Sequence, residues 1–469
     1  MRRYYLQSVY LPQGWAQGVV VTVSDEGFIA SIDDATADMS RDTERVDGIV
    51  VPGMPNAHSH AFQRAMAGNT EYRLSTADSF WTWRRAMYDL ANRIEPCDLQ
   101  ILATQLFIEM LKSGYTSVAE FHYLHRQPGG AAYSGANPLW EAIANAASVA
   151  GIGLTFLPTL YQCSDFGGRP LKPEQARFAS DTESFLRAVE DRMSAERRGD
   201  RARGGAPRTQ RTGVAFHSLR AVPLDTLRDA TLSLRKIDAD MPLHIHVAEQ
   251  VLEVKACLKE TGRRPIELLL DTGLLDSHWC LVHATHATPQ ELAGIAASAA
   301  TVCVSISTEA NLGDGFFDTA RYFKAGGRLC IGSDSQSTVS PTEELRWLEY
   351  QQRLRKKRRA VLAGAAASHV GTRLWRDAAQ HGAQALGQPI GSIEVGRRAD
   401  WLVLDPGHPS MSGGGQDSAL DHLVFSGGDA AIRHCMVAGR WVVKDGRHSG
   451  EEESRAAFGG LMRRFAGAA

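Results

Sequence analysis

Histidines and an aspartate follow short apolar segments of this sequence in an arrangement that could bind a metal ion. His58 and His60 lie two residues apart after the segment IVVPGM, and His246 and Asp334 follow two later apolar segments. Residues i and i+2 of a β-strand project from the same face, so the first two imidazoles can converge on one point. Three imidazoles with one carboxylate suit zinc, with iron as the alternative. The pattern therefore predicts one divalent cation bound by these four side chains.

Two further residues near the same segment ends could move protons on a substrate. A divalent cation lowers the pKa of bound water to about 7 and so provides hydroxide at neutral pH. Asp334 beside the ion is placed to accept a proton from this water, and Glu249 is placed to carry a proton to a leaving group. His283 is placed to orient the water or to polarise a tetrahedral intermediate. Together these groups predict a hydrolase that acts on an sp2 carbon.

Each of these residues also has an ordinary structural explanation. The chain has 16 histidines, and His244 and His246 form a second His-x-His pair. His283 and His217 could be hydrogen-bonded core residues, and Asp334 in GSDSQS could cap a turn or a helix. The metal site is favoured because the candidates follow separate predicted strands, so the structural explanation requires several coincidences at once.

Eight apolar segments, which alternate with segments of helical periodicity from Ile49 onward, must position these residues. They are IVVPGM, TSVAEFH, GLTFLPTL, TGVAFHS, PLHIHVAE, HWCLVHA, TVCVSIS and RLCIGSD. Alternation of strand and helix predicts parallel strands joined by right-handed crossovers. Eight such units fit a distorted (β/α)8 TIM barrel, an α/β fold whose active sites lie at the C-terminal ends of the strands. We expect residues 51–390 to form this metal-dependent hydrolase barrel.

The two ends of the chain are predicted to be β-structure instead. GVVVTVSDEGFIASIDD alternates apolar and polar residues around a DEG turn, and GSIEVGRRADWLVLDPG and AIRHCMVAGRWVVKDGRH resemble short strands joined by Gly/Asp turns. We expect residues 1–50 and 391–450 to form one small β-sandwich domain, followed by a C-terminal helix or tail over residues 451–469. The Arg/Gly-rich segment 194–213 lacks periodicity, which predicts a mobile surface loop rather than a nucleic-acid-binding tail.

Composition favours a globular protein of the cytoplasm. Hydrophobic residues make up 43% and charged residues 22% of the 469 residues, which is ordinary for a chain with a large core. The net charge of -2 gives no indication of nucleic acid or of an anionic membrane surface as a partner. No apolar segment approaches the roughly 18 residues of a membrane span, and none near the N-terminus is typical of a signal peptide. Seven scattered cysteines without a C-x-x-C pair predict reduced thiols.

Several of these motifs resemble the amidohydrolase superfamily, and the resemblance covers nearly the whole chain. PGMPNAHSH, a fifth-strand histidine followed by glutamate at +3, a sixth-strand histidine, GSDS and IGSIEVGRRADWLVLD carry it. The fourth strand has no lysine that could be carbamylated to bridge two metals. The chain is therefore similar to the one-metal branch, which holds many deaminases and in which Glu249, His283 and Asp334 would be catalytic. STEANLGDG (Ser307–Gly315) also resembles the seventh-strand segment of those deaminases.

Within that branch, HSHAFQRAMAG, FHYLH, FHSLRAV and LHIHVAEQ resemble the family of N-formimino-L-glutamate deiminases. The resemblance implies a homodimer that hydrolyses a linear amidine, N-formimino-L-glutamate, to N-formyl-L-glutamate and ammonia in histidine degradation, with hydroxide that the metal activates. It implies substrate contacts by Gln63, Arg84, Tyr123, His217 and Arg220. Arginine suits a substrate with two carboxylates because its planar guanidinium binds them in a bidentate manner. In FWTWRRAMY, Arg85 is the alternative to Arg84.

Two other functions are left open by these residues. A deaminase of the same branch acting on guanine or a related heterocycle would need stacking side chains, which Trp81 and Trp83 could provide. The two arginines favour carboxylates over such a base. A catalytically inactive barrel used as a scaffold is expected to lose ligands, whereas every expected ligand and acid is present in this chain.

Overall fold

The computed structural model describes residues 1–35, 42–71, 80–202, 209–364 and 367–467. The strands are β1 Arg2–Leu11, β2 Gly14–Val23, β3 Ile29–Asp34, β4 Thr43–Pro52, β5 Met54–Ser59, β6 Tyr115–His122, β7 Gly153–Leu160, β8 Gln210–Thr212, β9 Val214–Ser218, β10 Leu243–Val247, β11 Trp279–His283, β12 Thr301–Val304, β13 Arg328–Ile331, β14 Trp401–Leu404, β15 Ile432–Val437, β16 Arg440–Lys444 and β17 Arg447–His448. The α-helices are α1 Phe80–Ala91, α2 Pro96–Ser113, α3 Pro138–Ala150, α4 Thr182–Ala202, α5 Leu224–Ile237, α6 Val251–Thr261, α7 Pro265–Asp271, α8 Pro289–Ser298, α9 Ile306–Leu312, α10 Thr319–Lys324, α11 Pro341–Lys356, α12 Val370–Leu386, α13 Ala419–His422 and α14 Glu451–Gly467.

The central sheet is a barrel of parallel strands. Its strand order is β13-β12-β11-β10-β9-β7-β6-β5, and the short β8 pairs with β7. A parallel bridge between Ser59 and Asp334 joins the two ends of this order. The predicted (β/α)8 fold is confirmed, and the ends of β5 and β13 are neighbours at the mouth of the barrel.

Burial on both faces explains why the barrel strands read as continuous apolar segments. Every residue of β6 and of β7 is buried, as expected for strands between a filled barrel interior and an outer layer of helices. Glycine ends two of the outer helices. α3 ends at Gly151 and α6 at Gly262, each in the left-handed conformation that glycine adopts without strain.

The second sheet combines strands from both ends of the chain. Its order is β17-β16-β15-β14-β4-β1-β2-β3, with β4 antiparallel to β14 and parallel to β1. A separate apolar cluster lies against it, in which the rings of Tyr4 and Trp401 meet edge to face at 5.6 Å. The prediction of a small β domain formed by both termini is confirmed.

The junction between the two sheets corrects the prediction for IVVPGM. Ile49–Pro52 complete β4 of the terminal sheet, and only Met54 onward belongs to the barrel. The chain passes between the sheets at Gly53, where a Cβ atom would lie 2.3 Å from the Thr116 side chain. Glycine is needed here because the backbone packs directly against β6.

The Arg/Gly-rich segment is also more regular than predicted. Residues 194–202 continue α4, and Gln210–Thr212 form β8, while residues 203–208 lie outside the described part of the chain. The prediction of a loop was wrong for residues 194–202 and for Gln210–Thr212. Alanine, glutamate and arginine favour helices, but this part of the sequence has no apolar periodicity that would indicate a helix.

A buried ion pair connects the two sheets. Nη2 of Arg398 lies 2.6 Å from Oδ2 of Asp400 and donates to Oγ of Ser117 on β6, also at 2.6 Å. Both charged residues are at most 2% exposed.

The seven cysteines are free thiols. Over the described ranges, no helix combines the length and the apolarity that crossing a membrane requires.

Candidate active site

His58, His60, His246 and Asp334 converge at the C-terminal mouth of the barrel. Nε2 of His58 lies 3.1 Å from Nε2 of His246. Oδ1 of Asp334 lies 3.4 Å from Nε2 of both His58 and His60. All four residues are at most 7% exposed. The structure therefore brings together the four side chains that the sequence predicts as metal ligands.

The outer ring nitrogens show how these imidazoles are oriented. Nδ1 of His60 lies 2.8 Å from the carbonyl oxygen of Phe121, and Nδ1 of His246 lies 2.9 Å from that of His217. A carbonyl oxygen only accepts, so each Nδ1 carries the proton and each Nε2 presents a lone pair. Burial lowers the pKa of His60 to about 3, which keeps its ring neutral. Such lone pairs beside a carboxylate fit a divalent cation.

The backbone is strained where these residues leave their strands. Ala248, His283, Ala284 and Asp334 have φ angles of 51°, 70°, 49° and 44°, a region that disfavours non-glycine residues. Each such conformation costs on the order of 1–3 kcal/mol and persists where the surroundings enforce it, often at functional sites. The N–H of Asp334 donates to the carbonyl of His58 at 3.0 Å, which holds the end of β13 against β5.

Glu249 and His283 lie beside the metal-ligand cluster, which consists of His58, His60, His246 and Asp334. Nε2 of His283 is 3.8 Å from Oε1 of Glu249 and 3.7 Å from Oδ2 of Asp334. Burial raises the pKa of Glu249 to about 7. Burial opposes the charged form of His283, but Glu249 and neighbouring carboxylates raise its pKa to about 10. Burial likewise opposes ionisation of Asp334, but His58 and the other imidazoles lower its pKa.

The five residues implied as substrate contacts line a pocket that Glu249 and His283 also line. They are Gln63, Arg84, Tyr123, His217 and Arg220. Nε2 of Gln63 donates to the hydroxyl of Tyr123 at 2.9 Å, whereas its Oε1 has no partner among the described residues. Nε of Arg220, a buried residue, also lacks a partner within those ranges. Buried polar atoms of this kind are satisfied when a polar ligand binds.

Arg84, and not Arg85, reaches this pocket. Its Nη2 donates to the hydroxyl of Tyr161 at 3.3 Å, and its guanidinium packs on the rings of Trp81 and Tyr88 at 5.4 and 5.2 Å. Arg85 is exposed and lines only an adjoining outer cavity of about 630 Å³. The structure thus distinguishes two arginines that the sequence could not.

Sequence reasoning missed several residues around the site. Nε2 of Gln175 donates to the hydroxyls of Tyr161 and Tyr88 at 2.8 and 3.2 Å, which supports the contact with Arg84. Oε1 of Glu309 lies 3.3 Å from Nδ1 of His283. Tyr161 directly follows β7, so the strand-end rule could have found it, whereas Glu309 lies beyond the end of β12, within α9. His244, in contrast, lies apart from the site, with Nε2 2.8 Å from the Ala385 carbonyl of α12.

The pocket therefore has two chemically different ends. One end holds imidazoles and carboxylates that can bind a cation and exchange protons, and the other presents two guanidinium groups. Phe80, Trp83 and Met87 of α1 form part of its wall. Such a site can hold an anionic substrate while a polar carbon of the same molecule is hydrolysed.

Fold and site together define a (β/α)8 barrel protein with a candidate metal centre at the mouth of the barrel. The chain belongs to the amidohydrolase family, whose model matches residues 49–442. The resemblance inferred from the motifs is confirmed at this level.

Known relatives place the chain more finely. It is 48% identical over 460 residues, 98% of each chain, to a formimidoylglutamate deiminase of Pseudomonas aeruginosa. It is also similar to the crystal structure of an amidohydrolase from Brucella melitensis, with 39% identity, a TM-score of 0.90 and 99% of each chain covered. An adenosine deaminase from Xanthomonas campestris with bound zinc shares the fold at 20% identity, with a TM-score of 0.80 over 98% of each chain.

Proposed function

We propose that this chain is a metal-dependent deiminase that hydrolyses N-formimino-L-glutamate to N-formyl-L-glutamate and ammonia. The observation that carries the proposal is the pocket in which Arg84 and Arg220 lie together with the metal-ligand cluster, Glu249 and His283. The 48% identity to a formimidoylglutamate deiminase supports the same substrate. The product class follows from the reaction, since water replaces the imino nitrogen of an amidine.

The metal would be held by His58, His60, His246 and Asp334, and we propose zinc, with iron as the alternative. When bound, such an ion supplies hydroxide at neutral pH by lowering the pKa of water. The orientation of Nδ1 in His60 and His246 toward backbone carbonyls supports this ligand set.

The remaining steps belong to the protein side chains. Asp334 accepts the proton of the attacking water, and a C–O bond forms at the formimino carbon. Glu249, which burial keeps partly protonated near pH 7, hydrogen-bonds the formimino nitrogen and protonates it. As the tetrahedral intermediate collapses, its hydroxyl proton passes to Glu249 and Asp334 gives the proton from water to the same nitrogen, so that this nitrogen leaves as ammonia. The C–N bond then breaks, ammonia departs, and the formyl product remains. Nε2 of His283, near both carboxylates, supports the developing oxyanion as a hydrogen-bond donor.

The two arginines bind the glutamate part of the substrate. Each guanidinium can hold one carboxylate in a bidentate manner, and Gln63, Tyr123 and His217 add neutral hydrogen-bonding groups around them. Burial and the neighbouring Arg220 and Arg84 lower the pKa of His217, so its ring is neutral. The outer cavity shares Arg84 and Arg220 with the pocket and is lined by five cationic and three anionic side chains. Its charge favours the approach of a dianion.

The sharpest test compares two substrates. We expect zinc-loaded protein to release ammonia from N-formimino-L-glutamate and to leave guanine unchanged, because no purine base would satisfy both guanidinium groups. His246→Ala should abolish the release by removing a metal ligand. Turnover of guanine alone would favour the heterocycle deaminase, and a protein that binds no metal and turns over neither compound would favour the inactive scaffold.

A homodimer in the cytoplasm stays part of the proposal. It is supported by the resemblance to deiminases of amino-acid breakdown and by seven free thiols. Light scattering on the purified protein tests the dimer, for which we expect twice the 51.1 kDa mass of the chain. A mass of 51.1 kDa at micromolar concentration would contradict it.

A further inference from the structure

His283 has a carboxylate on each side of its ring. Nδ1 lies 3.3 Å from Oε1 of Glu309, and Nε2 lies 3.8 Å from Oε1 of Glu249 and 3.7 Å from Oδ2 of Asp334. His283 and Glu309 are each 1% exposed. The ring is therefore fixed between the reacting side of the pocket and a glutamate that does not line the pocket.

Glu309 is held firmly in this position by its own segment. It lies in the first turn of α9, directly after β12, and its Oε1 also accepts the N–H of Ser305 at 3.2 Å. An imidazole ring carries a proton on the nitrogen that faces an acceptor, and a cationic ring carries a proton on the other nitrogen as well. An ionised carboxylate has no proton to donate and can only accept one hydrogen bond or more, so Glu309 favours a proton on Nδ1 of His283.

A purely structural role for Glu309 explains less of this geometry. The N–H of Ser305 at the start of α9 needs one acceptor, which a neutral side chain could provide. Oε2 of Glu309 has no hydrogen-bond partner within the described ranges. Burying a carboxylate without full compensation costs free energy. We therefore expect the contact with the imidazole of His283 to offset part of this cost.

We infer that Glu309 is a positioning residue for His283: it accepts the N–H of Nδ1 and so fixes the ring orientation in which Nε2 faces the reacting groups beside Glu249 and Asp334. Glu309 acts through His283 and does not contact the substrate. The kinetic consequence rests on the proposed deiminase function, whereas the position of the proton does not.

The test uses two variants and a matched control. Glu309→Leu removes the acceptor with little change in volume, and Glu309→Gln keeps the shape and removes the charge. Glu344→Gln is the control, because Glu344 is equally buried and accepts the N–H of Ser307 in the same segment at 3.2 Å, but does not contact His283. On zinc-loaded protein, kcat and KM for N-formimino-L-glutamate are measured separately.

We expect kcat to fall about 10- to 100-fold in Glu309→Leu and about 10-fold in Glu309→Gln, as is usual when the partner of a functional histidine is lost. KM should change less than about threefold, because the carboxylate-binding side is untouched. Glu344→Gln should keep kcat within about twofold. Equal losses of kcat in Glu309→Gln and Glu344→Gln, or full activity of Glu309→Gln, would overturn the inference.

Nitrogen-15 NMR of labelled histidines provides a readout independent of turnover. The His283 signal, identified by its absence in His283→Asn, should report a proton on Nδ1 in the wild type and in Glu344→Gln. In Glu309→Leu the Nδ1 signal should lose the shift that a hydrogen bond to a carboxylate gives it. An unchanged His283 signal in that variant would refute the role of Glu309. If the wild type shows this signal and yet releases no ammonia, the proposed function fails and the positioning role stands.

Discussion

At the residue scale, Arg84 and Arg85 are neighbours in sequence with different surroundings. Arg84 lines the pocket and donates to Tyr161, whereas Arg85 is exposed in the outer cavity. We expect Arg84→Gln to lower kcat/KM for N-formimino-L-glutamate about 10- to 100-fold, since a hydrogen bond to a charged group contributes about 1.5–3 kcal/mol. The loss should appear mainly in KM because the reacting end is unchanged.

Arg85→Gln is the matched control for this change. It should keep kcat/KM within about threefold, since an exposed charge at this distance acts only through screened attraction. If the losses in the two variants were exchanged, Arg85 would be the carboxylate-binding residue. Steady-state ammonia release at a fixed ionic strength measures both variants.

Residues at strand ends were predictable from sequence because their geometry is local. The spacing of His58 and His60 sets their common direction, and a barrel places His246 and Asp334 at the same mouth. Glu309 was not predictable in this way, since it lies beyond its strand in α9 and its role depends on how His283 is turned. Nor could spacing distinguish Arg84 from Arg85, because the orientation of α1 decides which of them points inward.

At the element scale, Gly332 sets the distance between β13 and β5. A Cβ atom on Gly332 would lie 2.7 Å from both Cβ and the carbonyl oxygen of His58. We expect Gly332→Ala to force these strand ends apart and to destabilise the protein by about 1–3 kcal/mol, the usual effect of overpacking. Because His58 and Asp334 would separate, zinc affinity should fall at least about tenfold.

Urea unfolding and competition with a zinc chelator measure these two effects. Gly415→Ala is the control, since Gly415 has φ −76° and no atom within 4 Å of an added Cβ. Wild-type zinc affinity in Gly332→Ala would show that the close approach of the two strands does not define the metal site.

Element boundaries were harder to predict than element types. Continuous apolar segments identified seven of the eight barrel strands, because these strands are buried on both faces, and placed the first one next to its true position. They did not show that IVVPGM passes from one sheet to the other, because Ile49–Pro52 and Met54 are equally apolar and only packing against Thr116 divides them. They also missed the helical residues 194–202, which lack an apolar stripe.

At the scale of the whole molecule, the ion pair of Arg398 and Asp400 connects the terminal sheet to the barrel through Ser117. We expect Arg398→Met to lower the free energy of unfolding by about 3–5 kcal/mol, because it leaves Asp400 charged and buried without its partner. Arg397→Met is the control, since the Arg397 side chain is 42% exposed. Urea unfolding followed by fluorescence measures both, and equal stability of the two variants would contradict the coupling.

The most direct test of the metal-dependent mechanism is a titration of the chelated protein with zinc while ammonia release from N-formimino-L-glutamate is followed. We predict no release without metal, a linear rise as zinc is added, and a plateau at about one equivalent per chain, as one ion held by His58, His60, His246 and Asp334 requires. Full activity in the absence of metal, or a plateau only at two equivalents, would contradict a one-metal deiminase.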